Sequence, residues 1–447
     1  MGSVIEESVA GLLGDVGIAA VPLEVTGKAG LPSVFRVDVM AGASVGAATA
    51  AAARLWQARG GPAARASIDL GHVGMAFVSE RLFKVAGSEL DLWADLSGDY
   101  ATGDGGWVRL HCNFDHHRDA VLRALLTAPT RDSVAAACGL MPAVAVEEAV
   151  LAAGGAAGAL RTRSPWAGFP HGPLVRLTRT GEGPVVPLAP AARPLEGVRV
   201  LDLTRVIAGP VATRTLAAHG AQVLRIGAAH VPEVPGLVLD MGFGKRSCHL
   251  DLRSAEGRAA LRELAATADV LIQGYRPGAL SGLGFGRDDL KALNPSLVTV
   301  DVSAYEPEGP WAGRRGFDSL VQMTTGIAEE GMRFAGSDRP VPLPCQGLDH
   351  ATGYLGAFAA ISGLVHRAES GGSWHGSVSL AGTARWLDSL GRVTPGAGQD
   401  PDDDLIAAVN TPHGVLSFVL PPGTASGLLP SWDLAPAIDG SALPVWI

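Results

Sequence analysis

The amino-acid sequence predicts an α/β protein: an open parallel sheet wound by helices, joined to a small α+β domain and carrying a partial internal repeat. Two patterns say so. From about residue 195 onward, short apolar strands alternate with helical segments over short connections, the rhythm of a parallel sheet covered by helices. Residues 41–79 can also be laid on residues 351–389 without a gap at a constant offset of 310. Ala41, Gly46, Ala47, Ala50, Ala58, Gly61, Ser67, Leu70 and Ser79 then meet identical residues.

In chain order, residues 1–90 read as a degenerate partial copy of a later region. Residues 91–170 read as a small α/β domain with a strand at 107–110 and a helix at 118–126. This is the block by which the two halves differ, because Phe169-Pro170-His171-Gly172 recurs as Thr411-Pro412-His413-Gly414 at an offset of only 242. Residues 171–194 read as a linker, since Pro184, Pro187, Pro190 and Pro194 crowd its end. A large domain then spans 195–390. It opens with a strand at 198–203, a helix at 210–219, a strand at 222–226 and a short strand at 248–252. A helix capped by Ser254, a strand at 270–273, a helix near 288–293 and a strand at 297–302 follow. An apolar run ends at Asp349, and a long Ala/Gly-rich helical pattern occupies 351–367. Residues 391–447 read as an extension packing on the large domain.

With 447 residues, 47% hydrophobic and 18% charged, the chain can bury two or three cores. A net charge of -9 argues against nucleic acid or an anionic membrane as partner. Only Lys28, Lys84, Lys245 and Lys291 among the 35 basic residues are lysines, so an arginine alone carries little functional weight. Cys112, Cys138, Cys248 and Cys345 are far apart and form no CxxC pair, which fits reduced thiols better than disulfides or zinc. No basic region precedes an apolar core at the N-terminus, and the apolar run 39–53 is short and made of small residues. The expectation is a cytoplasmic protein.

Several segments carry chemistry, each beside a plainer reading. Asp349 is either a helix N-cap or a nucleophile held at a cleft mouth. The turn 204–210 joins a strand to a helix N-terminus, where anions are favoured, but lacks GxGxxG. Lys245-Arg246-Ser247 and Arg314-Arg315 are either phosphate contacts or solvated edges. Tyr275 either stacks on a base or covers the sheet end. His111, His116 and His117 cluster without a metal-ligand spacing. With no GxSxG or HExxH, a carboxylate is the best nucleophile candidate.

The run from Pro194 to Pro210, PLEGVRVLDLTRVIAGP, resembles the opening of family III CoA-transferases, the CaiB/BaiF family. Later motifs agree in order: Gly244-Lys245-Arg246-Ser247, Leu250-Asp251-Leu252, Ala268-Asp269-Val270-Leu271-Ile272, Arg276-Pro277-Gly278, Leu293-Asn294-Pro295, Gly316-Phe317-Asp318 and Asp349. The resemblance covers about 195–390. It implies a Rossmann-like sheet with a small domain, commonly in an interlinked dimer, and an acyl-CoA thioester as substrate with no prosthetic group and no metal. By motif position it implies Asp349 as a nucleophile that forms an acyl anhydride, with Asp318 orienting substrate. Val206, Ala208, Leu250, Tyr275, Ala279 and Arg315 would contact CoA, and a carboxylic acid would be the acceptor.

The racemase branch of the family typically has Gly-His-Asp where this chain has Gly316-Phe317-Asp318, so its acid/base partner is missing. His350 keeps an isomerase as the alternative. Gly274, Ala228 and Gly282 depart from residues common in the family, and no four-glycine run occurs, which keeps a catalytically degenerate CoA-binding protein as a third reading. In the first copy Val39 stands opposite Asp349, and Asp38 is one register off. One active site per chain follows, with residues 1–90 completing the fold or mimicking a second subunit. The assembly would be a homodimer or an internally duplicated monomer.

Overall fold

The computed structural model describes residues 1–28, 30–169 and 171–447. Pro170 of the 169–172 landmark therefore lies outside the described residues. The N-terminal region contains β1 (Leu23–Thr26), α1 (Val37–Ala58), β2 (Ala66–Asp69), α2 (Leu70–Ala76) and the single turn α3 (Ser79–Leu82). A small unit follows. Its antiparallel sheet of Gly98–Ala101, Trp107–Leu110 and Ala157–Ala159 packs with three helices around a separate core that includes Val108, Leu110, Val121, Val134 and Val146.

The main body comprises β3 (Arg176–Gly181), β4 (Arg199–Leu203), α4 (Ala208–Ala218), β5 (Gln222–Gly227), β6 (Lys245–His249), α5 (Ala255–Ala265), β7 (Val270–Gln273), α6 (Arg287–Leu293) and β8 (Val298–Ser303). Then come α7 (Asp318–Thr324), α8 (Ile327–Ala335), α9 (Gly347–Ser370), β9 (Ser373–Ser379) and α10 (Leu380–Ser389). Its seven strands run in the order β6-β5-β4-β7-β8-β9-β3. All neighbours are parallel except β3, which pairs antiparallel with β9. The chain builds outward from β4 in both directions, so the carboxyl ends of β4 and β7 form the crevice where such sheets bind ligands.

Two boundaries differ from the sequence reading. Residues 171–194 are not simply a linker, because 176–181 form the edge strand β3. Its Arg/Thr-rich pattern is that of a solvated edge and gives no apolar signal. The strand expected at 248–252 lies at Lys245–His249 instead. Lys245 is buried there against Asp202, Nζ to Oδ2 2.9 Å, and a buried ion pair is invisible to hydrophobic periodicity.

The repeat is structural. At the same offset of 310, α1, β2 and α2 match α9, β9 and α10, and even the caps correspond. Asp69 Oδ1 accepts the amide of His72 at 3.1 Å, as Ser379 Oγ accepts that of Gly382 at 2.9 Å. β2 is flanked by parallel β1 and antiparallel β10 (Thr424–Ala425), as β9 is by β8 and β3. The antiparallel flanks cross over. The segment after the first copy joins the second copy's strand, and the segment after the second joins the first's.

Small residues let the two long helices, α1 and α9, pack on each other and α9 lie against α4. A Cβ at Gly353 would stand 2.6 Å from the Ala208 carbonyl oxygen and from Val211 Cβ. Glycine there brings the helix carrying Asp349 down onto the start of α4. The C-terminal extension reaches both halves: the hairpin Ile406–Thr411 and Gly414–Val419 pairs with Lys84–Val85, and Asp439 accepts from Ser247 Oγ at 2.6 Å. Among the described residues no single helix is long and apolar enough to cross a membrane.

Candidate active site

Asp349 is the third residue of α9, and Gln346 occupies the N-cap position. The N-cap reading of Asp349 therefore fails. Its carboxylate makes no hydrogen bond among the described residues, while its amide donates to Asp318 Oδ2 at 2.9 Å. Asp318 begins α7 and is fully buried, and Gln322 Nε2, one helical turn on, donates to its Oδ1. Gln322 Oε1 in turn accepts the amide of Leu343 at 2.7 Å. These hydrogen bonds tie Asp318 to the first turn of α9 and to its own helix.

Burial dominates the electrostatics. It raises the Asp318 carboxyl to about 6, with the hydrogen bonds from Asp349 and Gln322 pulling the other way. Asp349, 7% exposed, is pushed well above the carboxylate range by burial and then by the charges of Asp318 and Glu80. His350 is fully buried, and its Nε2 lies 3.0 Å from Glu80 Oε2. Burial alone would raise Glu80, but the His350 hydrogen bond and charge outweigh it and hold that carboxyl low.

The predicted CoA contacts line the carboxyl ends of the strands. Val206, in the turn between β4 and α4, has φ +70°, a strained conformation for a β-branched residue and of the kind that collects at functional turns. Ala208 opens α4. That turn is held by Asp202, whose Oδ1 accepts the amide of Thr204 at 3.0 Å and whose Oδ2 accepts from Thr213 Oγ1 at 2.6 Å. Leu250 is buried in the cluster against which Tyr275 packs. Tyr275 and Arg276 line an open cleft that also reaches Asp301 and His375, and Ala279 is exposed on the turn that follows them.

Arg315 and Arg276 have no ion-pair partner among the described residues. Burial and then Arg276 push the Arg315 guanidinium down, so the two lie close enough to repel. Lys245, by contrast, is a structural cation, lowered to about 8 by burial despite Asp202.

The small unit closes over this region. His111 stacks on Phe317, ring centroids 3.6 Å apart at 3°, and Phe317 directly precedes Asp318. Burial and then His117 push His111 down to about 3, so it is a neutral platform at ordinary pH. Among the described residues no group of three or more His, Cys, Asp or Glu side chains can hold a metal ion.

Residues 195–400 match the sequence model of CoA-transferase family III. This segment is similar to that family. The acetyl-coenzyme A transferase nodX of Hypoxylon pulicicidum is 36% identical over 207 residues, covering 45% of this chain and 35% of that protein. The human succinyl-CoA:glutarate CoA-transferase is 31% identical over 193 residues, 40% of this chain and 43% of that protein. A solved CaiB/BaiF-family protein from Brucella suis is 26% identical with a TM-score of 0.38, covering 50% of this chain and 65% of that one. The chain thus spans less than half the length of these two curated relatives.

Asp318, Asp349 and every candidate CoA contact lie inside the family III segment; Glu80 and the histidines of the small unit lie outside it. Sequence reasoning missed Asp202, Gln322 and Glu80. The i, i+4 spacing of Asp318 and Gln322 on one helix face is a usable signal. For Glu80, 270 residues from its partner, nothing local in the sequence points to the contact.

Proposed function

We propose that the chain is an acyl-CoA:carboxylate CoA-transferase in which Asp349 is the nucleophile, on a Rossmann-like sheet completed by its own N-terminal copy. The observation that carries this reading is Asp349 itself: a buried carboxylate with no hydrogen bond among the described residues, on a main chain pinned by Asp318, inside the family III segment. An unsolvated carboxylate is a strong nucleophile once ionised, because no hydrogen bond must be broken before attack.

The chemistry balances without a cofactor. The carboxylate of Asp349 attacks the thioester carbonyl, the C–S bond breaks, and CoA leaves as thiolate from an acyl-aspartyl anhydride. The thiolate attacks the aspartyl carbonyl and expels the first acid, leaving an aspartyl-CoA thioester. The acceptor carboxylate reverses both steps. Exclusion of water protects the anhydride, and the small unit stacked on Phe317 supports that role. Val206, Ala208, Leu250, Tyr275 and Ala279 would hold CoA, with Arg276 and Arg315 meeting its phosphates. The buried free cysteines fit a reducing, cytoplasmic compartment.

The test is a panel of acyl-CoAs and acceptor acids in deuterated water. The reading expects CoA exchange between acids without deuterium at the α-carbon. Deuterium uptake without exchange would replace it with isomerisation, and neither, with CoA still bound, would leave a binding protein.

A further inference from the structure

We propose that Glu80, supplied by the N-terminal copy, is a positioning residue for the Asp349 nucleophile of the other copy. The inference rests on the transferase reading for its activity readout and on geometry alone for its second.

Glu80 lies on the single turn α3, 3% exposed, and its Oε2 is 3.0 Å from His350 Nε2. His350 directly follows Asp349, and its Nδ1 has no partner among the described residues. Glu80 is therefore the one polar anchor of that ring among them. Neighbouring side chains of the same segment press on the same helix: Phe77 stacks on Tyr354 at 5.9 Å and 10°, and lies 5.3 Å from the His350 ring. Ser79 is tied to the main body through Asp240, Oγ to Oδ2 3.2 Å, and through Arg214 Nη2 at 3.2 Å. The N-terminal copy thus reaches the first turns of α9 with a wedge that is apolar at Phe77 and charged at Glu80.

The wedge has two physical consequences. Anchoring His350 fixes the rotation of the turn that aims Asp349, since consecutive helical residues turn together. The Glu80 charge also adds to that of Asp318 in opposing ionisation of Asp349. The other ionisable groups facing this cluster are Arg81, 3.9 Å from Glu80 Oε1, the Arg214–Asp240 pair and the Cys345 thiol. Position 390, which matches Glu80 at the repeat offset, is Leu390, so the second copy has no equivalent. The first copy lacks the nucleophile and supplies the residue that holds it.

Two variants separate anchoring from charge. Glu80→Gln keeps an acceptor for His350 and removes the charge; the acid limb of the CoA-exchange pH profile should move down by about half a unit or more, with the plateau kcat within about threefold. Glu80→Ala removes both, and kcat should fall about tenfold or more while KM for acyl-CoA stays within about twofold, because Glu80 touches none of the CoA contacts. Carboxyl titration of Asp349 by NMR, its resonance assigned with Asp349→Asn, gives a readout independent of turnover and should show the same downward shift in Glu80→Gln. An inactive wild type in which that shift still appears would sink the transferase reading and support the coupling. A profile and titration unchanged in Glu80→Gln would overturn the inference, even if Glu80→Ala failed to fold.

Discussion

The two copies of the helix-strand-helix repeat share their geometry and differ in what their long helices carry at the start. In α9 the third residue is Asp349, with its carboxylate unpaired among the described residues and its amide held by Asp318. In α1 the matching residue is Val39, 1% exposed in the core, and the carboxylate one position earlier, Asp38, is spent locally on the amide of Leu31 at 3.0 Å. A shift of one position on a helix turns a side chain by about 100°. The comparison teaches that the repeat is maintained by small-residue helix packing, whereas the candidate site turns on one register position and on the residues from elsewhere that meet it.

The largest expected effect tests whether the first copy is a structural partner. Deleting residues 1–90 should expose the apolar surface that α1 covers, leaving aggregated protein by light scattering, since large bare apolar patches associate. A soluble, fully active truncated chain would break the comparison at its base. Next, Val39→Asp buries a carboxylate without the Asp318-like partner, and should cost about 3 kcal/mol in denaturant unfolding. Active-site titration of that variant should still count one acyl-enzyme per chain.

A smaller effect concerns Arg276 and Arg315 beside the candidate site. Arg276→Ala and Arg315→Ala should each raise KM for acyl-CoA about tenfold and leave kcat within about threefold, if they meet phosphate. The smallest is a gain. Between the ordinary carboxyl pKa and the raised one of Asp349, the folded protein binds more protons than the unfolded chain, so stability falls as pH rises across that interval. Asp349→Asn removes the penalty. It should stabilise the fold at pH 7, and the gain should shrink as pH falls through that interval and vanish below the ordinary carboxyl range, in paired unfolding curves.

How much was legible in the sequence follows the range of the interactions. The strand at 270–273 was readable to the residue, because four apolar or borderline residues bounded by turns leave one solution. The Ser254 cap was equally local, its Oγ accepting the amide of Gly257 at 3.0 Å. The edge strand β3 and the start of β6 were not, since one is polar and solvated and the other hides a lysine in the core. Asp349 stood out by motif and position, whereas the role of Asp318 depended on which amide its carboxylate meets. Glu80 was illegible because only the fold brings α3 to His350.

The central claim is that Asp349 forms a covalent acyl intermediate. Mixing the protein with acyl-CoA in the presence of hydroxylamine, then digesting it and sequencing peptides by mass spectrometry, tests that claim directly. The account predicts a hydroxamate on Asp349, dependent on acyl-CoA and absent from Asp349→Asn. CoA exchange proceeding with no mark on that peptide, or with the mark on Asp318 or Glu80, would contradict it.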